Sequence, residues 1–227
     1  MIEATTRVDK DGCQIFPGVL SEHEIESILV ELPSTIPQKR AGIRHMLGNQ
    51  AVLDLANDQR LLGIAQEYLG AGAVPFHATL FSKTCAANWL VVWHQDTALP
   101  IEQKRDLPGW GPWSVKEGVR YAHAPERALR EVLALRVHLD RSASDNGPLR
   151  VIPGTHQIGL LTDDAIHQIA SESRPIDCTV PRGGVLAMRP LLIHASSKSE
   201  SGAPRRVLHI EYASSVQTSD GLELAVG

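Results

Sequence analysis

Asn88-Trp89-Leu90-Val91-Val92-Trp93-His94-Gln95-Asp96 runs from bulky apolar residues into three polar ones, and its composition is that of a strand. Side chains at i and i+2 of a strand share a face, so His94 and Asp96 point the same way. An imidazole and a carboxylate side by side at a strand end can supply two adjacent ligands to one divalent cation. Without further ligands the same pair is a His–Asp hydrogen bond at a solvated strand end.

Outward from this stretch, short β-prone runs separated by turn residues recur at 75–83, 131–140, 148–152, 176–180, 184–188, 191–196 and 205–213. So many short strands predict a mainly β fold, a sandwich or a barrel. Residues 1–74 read as mainly helical support. Ser21-Glu22-His23-Glu24 has the form of a capping box and opens a predicted helix from about Ser21 to Leu32, with Ile25, Ile28, Leu29 and Leu32 on one stripe. A second helix is predicted from Asn57, with Leu61, Leu62, Ala65 and Leu69 inward and a stop at Gly70. Thr162 caps a third, from Asp163 to about Ala170. The segment 97–125, from Thr97 to Pro125, is predicted to be a long lid or substrate loop.

With 43% hydrophobic and 21% charged residues and no repeat or linker, the 227 residues predict a single domain, 1–227, and exclude disorder. A net charge of −4 supplies no overall positive field, so a nucleic-acid partner is not expected. No apolar run suits a membrane span, and the opening residues lack the apolar core of a signal peptide; a cytoplasmic protein is expected. Cys13, Cys85 and Cys178 are odd in number and far apart, which predicts buried fillers and neither a disulfide framework nor a cysteine zinc site.

A third ligand is sought elsewhere. Leu191-Leu192-Ile193-His194-Ala195-Ser196 is apolar up to His194 and polar after it, placing the imidazole where a buried strand emerges. A lone histidine there is otherwise a satisfied core residue. In Arg205-Arg206-Val207-Leu208-His209-Ile210-Glu211-Tyr212-Ala213, alternation puts Arg205, Val207, His209 and Glu211 on one face, so one arginine of the two faces a cavity. Two histidines and one carboxylate on one face of a metal leave positions open for a bidentate ligand and O2, and a guanidinium fork suits a carboxylate held in one orientation.

With WHQD at 93–96, NGPLRVIPGTH at 146–156, HASS at 194–197 and RRVLHIEYA at 205–213, the chain resembles the phytanoyl-CoA dioxygenase family of Fe(II)/2-oxoglutarate oxygenases. The resemblance spans residues 75–213. It implies a double-stranded β-helix, the cupin-like jelly roll, with Fe(II) held by His94, Asp96 and His194. It further implies that Arg205 pairs with the distal carboxylate of 2-oxoglutarate, with Ser196 adding a hydroxyl. The implied reaction hydroxylates a small organic molecule with O2, releasing succinate and CO2. A halogenating subgroup has a small residue in place of the ligand carboxylate; Asp96 is intact, which favours hydroxylation. The alternative is a cupin-like isomerase or small-molecule binding protein that uses the metal without redox chemistry, or a scaffold without metal. Arg205 discriminates, because a non-redox site has no use for a carboxylate clamp.

Other positions are weighed on both readings. In Leu133-Ala134-Leu135-Arg136-Val137-His138-Leu139 the leucines and valine form the core face, leaving Ala134, Arg136 and His138 toward the cavity or toward water. Relatives often carry a bulky side chain near this point that packs on the cosubstrate, and a cation here would instead bind a carboxylate, which makes Arg136 a candidate cosubstrate-binding residue. Trp110, Trp113 and Tyr121 form either a wall over the substrate or anchors of the lid, while Lys83 and His77 share the face of Phe81, where relatives place cosubstrate or substrate contacts. His156 is left out of the metal set, and Asn146-Gly147-Pro148-Leu149 and Pro181-Arg182-Gly183-Gly184 read as turns. No G-x-S-x-G nucleophile elbow is present.

Overall fold

The structure, a computed structural model, describes residues 7–33, 42–84 and 87–227. Cys85 lies outside them. In chain order the elements are α1 (Val8–Asp11), β1 (Cys13–Phe16), α2 (Glu22–Glu31), β2 (Gly42–Ile43), α3 (Gln50–Ala56), α4 (Gln59–Leu69), β3 (Val74–Lys83) and β4 (Val91–His94). There follow β5 (Ala98–Ile101), β6 (Trp113–Lys116), β7 (Val119–His123), α5 (Glu126–Leu129), β8 (Val132–His138), β9 (Leu149–Val151), α6 (Asp163–Glu172), β10 (Ile176–Cys178), β11 (Val185–Met188), β12 (His194–Ser196) and β13 (Arg205–Ala213).

Two antiparallel sheets make the jelly roll: a six-stranded one in the order β1-β11-β8-β13-β3-β2 and a four-stranded one in the order β10-β9-β12-β4. Strand alternation decides what each face of the large sheet does. Leu80, Leu133, Leu135, Leu208, Ile210 and Tyr212 point outward and form one buried cluster with Ile25, Val52, Leu55, Leu61 and Ala65 of the helices. The Tyr212 hydroxyl donates to the Ala56 carbonyl at 2.8 Å, tying sheet to helix where an unpaired phenol would be costly. The opposite face carries Phe81, Arg136, Arg205 and His209 toward the small sheet, and a cavity lies between the two.

The predicted helix signals hold with one shift: Asp58 caps α4, while Asn57 ends α3. Ser21 and Glu24 make the reciprocal capping box, and Gly70 ends α4 with φ +88°. Thr162 accepts from the Ala165 amide and caps α6. The Pro181–Gly184 turn packs so closely that a Cβ on Gly183, at φ +76°, would lie 2.2 Å from the Leu20 carbonyl oxygen. Cys13 and Cys178 are buried and free; burial and the neighbouring Cys13 thiol push the Cys178 thiol well up.

The segment 97–125 departs from expectation. It is no structureless loop: β5, β7 and β6 form a third antiparallel sheet, and Leu99, Ile101, Trp110 and Ala122 pack with Phe76, Leu129, Leu222 and Leu224. Its strands are four or five residues long, and residue 101 bridges to Leu224 near the other end of the chain, a partner that local periodicity cannot reveal. Among the described residues no helix is long and apolar enough to cross a membrane.

Candidate metal centre

Strands β4 and β12 are neighbours, and their register sets His94 opposite His194. The two rings lie 4.2 Å apart between centroids, tilted by 51°. Asp96 follows two residues beyond His94, where its amide donates to the Pro190 carbonyl at 2.9 Å. Its carboxylate oxygens are 3.6 Å from His94 Nε2 and 3.5 Å from His194 Nε2. One atom from each of the three side chains fits within 4.8 Å of the others, the one such His/Cys/Asp/Glu group among the described residues.

Ring orientation fits a metal. Each Nδ1 lies 2.8 Å from the carbonyl oxygen two residues back, Val92 for His94 and Leu192 for His194. A carbonyl can only accept, so Nδ1 carries the proton and the Nε2 lone pair faces the other two ligands. Gln95, on the opposite face of the strand, donates to Gly159 and Leu191 carbonyls at 2.9 and 2.7 Å and accepts from the Leu161 amide. Thr155 accepts from the Ile193 amide at 3.0 Å and steadies the approach to His194.

Charge state fits at Asp96 and His194, while the hydrogen bond and charge of Asp96 outweigh burial at His94 and raise it. Burial raises the Asp96 carboxyl, but His194 and His94 outweigh it and hold it well below the usual carboxylate range. Burial pushes His194 down to about 4. An ionised carboxylate and a neutral imidazole are the forms that ligate.

At the deep end of the cavity, β13 and β3 set Arg205 opposite Lys83. Lys83 Nζ donates to Ser196 Oγ at 2.7 Å and to the Ser197 carbonyl, Arg205 Nη2 lies 3.5 Å from the same hydroxyl, and Ser196 donates onward to the Gly147 carbonyl at 2.9 Å. Arg205 is 3% exposed, yet its Nε and Nη1 have no partner. Burial, then the charges of Arg205 and Arg136, push Lys83 down to about 7; burial and Arg136 push Arg205 down to about 9. Among the described residues no acidic side chain pairs with Lys83, Arg136 or Arg205. Buried donors of this kind await an anion.

One cavity of about 430 Å³ is lined by His94, Asp96, His194, Ser196, Arg205 and Arg136, with Phe81, Trp89 and Leu149 among its apolar walls; Lys83 does not line it and is buried behind Ser196. Arg136 thus takes the cavity side of its two alternatives. His209, which faces the cavity by the same alternation as Arg205, was readable as a cavity residue but carried no assigned role. His77 and Tyr121 sit elsewhere: His77 bonds Glu211 at 2.8 Å through Nδ1 and meets the Tyr121 hydroxyl at 3.1 Å through Nε2. Neither these two nor Trp110 and Trp113 line the cavity; the tryptophans belong to the third sheet's apolar cluster, where they anchor. His156 Nε2 lies 3.2 Å from the Asp9 carbonyl, away from the metal group, and Asn146 closes its turn by accepting from Ala143 N and donating to Arg141 O.

Residues 8–207 match the model of a family described as phytanoyl-CoA dioxygenase (PhyH). The chain is 22% identical to the L-proline trans-4-hydroxylase of Streptomyces griseoviridis, over 93% of its own length and 86% of that protein. Its fold is similar to EctD from S. alaskensis, solved with 2-oxoglutarate and 5-hydroxyectoine, at a TM-score of 0.69 and 20% identity over 92% of this chain and 74% of that one. It is also similar in fold to SnoN, a non-heme alpha ketoglutarate dependent epimerase from nogalamycin biosynthesis, at a TM-score of 0.67 and 18% identity over 93% and 79% of the two chains.

Proposed function

The chain belongs to the phytanoyl-CoA dioxygenase family, and from that premise we propose that it is an Fe(II)- and 2-oxoglutarate-dependent dioxygenase that hydroxylates a small organic molecule. The observation that carries this reading is the meeting of His94, Asp96 and His194 in the same cavity as a buried arginine with two unpartnered donors.

His94, Asp96 and His194 would hold the iron from one side, leaving its remaining positions to ligands in the cavity. Arg205 would take the distal carboxylate of 2-oxoglutarate on its free Nε and Nη1, with the Ser196 hydroxyl beside it and Lys83 adding positive charge. When bound, iron and cosubstrate supply the oxidation, in which decarboxylation of 2-oxoglutarate to succinate and CO2 is coupled to oxygenation of a C–H bond by O2. The protein's part is to orient both and to wall the cavity with Phe81, Trp89 and Leu149. Asp96 occupies the carboxylate ligand position, which supports hydroxylation over halogenation.

Anaerobic titration of Fe(II) and 2-oxoglutarate tests this. A visible metal-to-ligand charge-transfer band is expected in the native protein, with 2-oxoglutarate affinity falling strongly in Arg205→Ala. An unchanged affinity in that variant would remove Arg205 as the anchor. No band in the native protein would leave the non-redox, cupin-like reading. The likeness in fold to an epimerase names a second oxidative outcome: a product heavier by one oxygen marks hydroxylation, and an isomer of unchanged mass marks epimerisation.

A further inference from the structure

Neither the metal ligands nor the Arg205 anchor accounts for Arg136 and His209, which strands β8 and β13 hold as register partners. An arginine only donates, so in the 3.0 Å contact from Arg136 Nη1 the His209 Nδ1 is the acceptor and the proton resides on Nε2. Both side chains line the cavity. The guanidinium lies over the Phe81 ring at 5.5 Å, and its Nε is buried without a partner. An unpaired guanidinium in such a place is costly unless an anion meets it.

A charge count over the cavity, which rests on the reading under Proposed function, says where that anion comes from. The cationic side chains that line it are Arg136 and Arg205, with Lys83 behind Ser196, and the acidic one is Asp96. A divalent iron is balanced by Asp96 together with one carboxylate of the dianionic cosubstrate. The second carboxylate balances Arg205. Arg136 is then left without a counter-charge, and a protonated Lys83 adds to the excess.

We propose that the primary substrate is itself a carboxylate, held by Arg136 with His209 Nε2–H beside it. The rest of that substrate meets apolar surface: Trp89, Leu90 and Val92 line the same cavity, and Leu90 and Val92 are 56% and 60% exposed. A carboxylic acid with a non-polar body fits these walls.

The test uses the full chain with Fe(II) and saturating 2-oxoglutarate under anaerobic conditions, reading the thermal midpoint and the charge-transfer band. Formate, acetate and benzoate are titrated against formamide, acetamide and benzamide. The acids are expected to stabilise saturably and the amides not, with apparent acid affinity weakened about tenfold or more in Arg136→Gln and retained in Arg136→Lys. 2-Oxoglutarate is expected to bind Arg136→Gln as it binds the native protein. Equal responses of the native protein to acids and amides would overturn the proposal. So would a loss of about tenfold in 2-oxoglutarate affinity in Arg136→Gln, because the guanidinium would then serve the cosubstrate. Absence of the band in the native protein is a separate failure, which removes the oxygenase reading and this inference with it.

Discussion

His94 and His194 face each other as register partners on adjacent strands, and each commits Nδ1 to the carbonyl two residues behind it at 2.8 Å. The pairing register therefore aims both Nε2 atoms at Asp96 before any ion arrives. Losing an outer hydrogen-bond partner of a metal ligand typically weakens metal binding 10–100-fold, so removing a ligand should cost at least about 100-fold. Titration with Co(II) or Ni(II), followed by calorimetry and thermal midpoint, should show this for His94→Ala, Asp96→Ala and His194→Ala. Native affinity in His194→Ala would mean that the three groups are not a metal site.

Lys83 links charge to stability. Burial, then Arg205 and Arg136, lower it from 10.5 to about 7 in the folded protein. Between those two values the unfolded chain binds more protons than the folded one. Its contribution therefore rises as pH rises from about 7 toward about 10, and is lost as pH falls through that window. Urea unfolding of the unliganded protein at several pH values should show this rise, and Lys83→Met should flatten it. A slope that persists in the variant would place the titration on another group.

Gly147 supports the cosubstrate anchor through its backbone. It has φ +67°, and a Cβ there would lie 2.4 Å from the Ser197 carbonyl oxygen. Its own carbonyl accepts from Ser196 Oγ at 2.9 Å. Gly147→Ala should cost about 1–3 kcal/mol in unfolding free energy and also weaken 2-oxoglutarate binding, because the strain falls on Ser196 and Ser197. A destabilised variant that binds 2-oxoglutarate normally would separate the turn from the anchor.

Trp110 separates lid from scaffold. Its indole N–H donates to Asp220 at 2.9 Å, and its ring lies in the cluster with Leu99, Leu129 and Leu222. Trp110→Ala should therefore cost about 3–5 kcal/mol while leaving 2-oxoglutarate affinity unchanged. A stable variant with weakened cosubstrate or substrate binding would return the segment 97–125 to the role of a lid.

Much of this was legible in the chain. Ser21 and Glu24 signal a helix start because both partners of the cap lie within one turn. His94 and Asp96 read as neighbours on one face because a strand's side chains alternate, and the same rule separates Arg205 from Arg206, which pairs with Asp140 on the outside. The third sheet was not legible, since its strands are short and its closing partners lie near residue 224. That His77 and Tyr121 stand away from the cavity was hidden for a similar reason: Glu211, which satisfies His77, sits 134 residues away, and its pairing there follows from the β3–β13 register.

Residue order by itself determined which side chains each strand and helix presents to each face, because alternation and helical period are properties of the local backbone. Only the tertiary structure decided which faces meet. It brought His194 to His94, Lys83 to Arg205 and Arg136 to His209, and it folded the segment 97–125 against the C-terminal residues. Strand pairing across a hundred residues is chosen by the burial of apolar faces and the satisfaction of backbone hydrogen bonds over the whole fold, and no short window of sequence carries that sum.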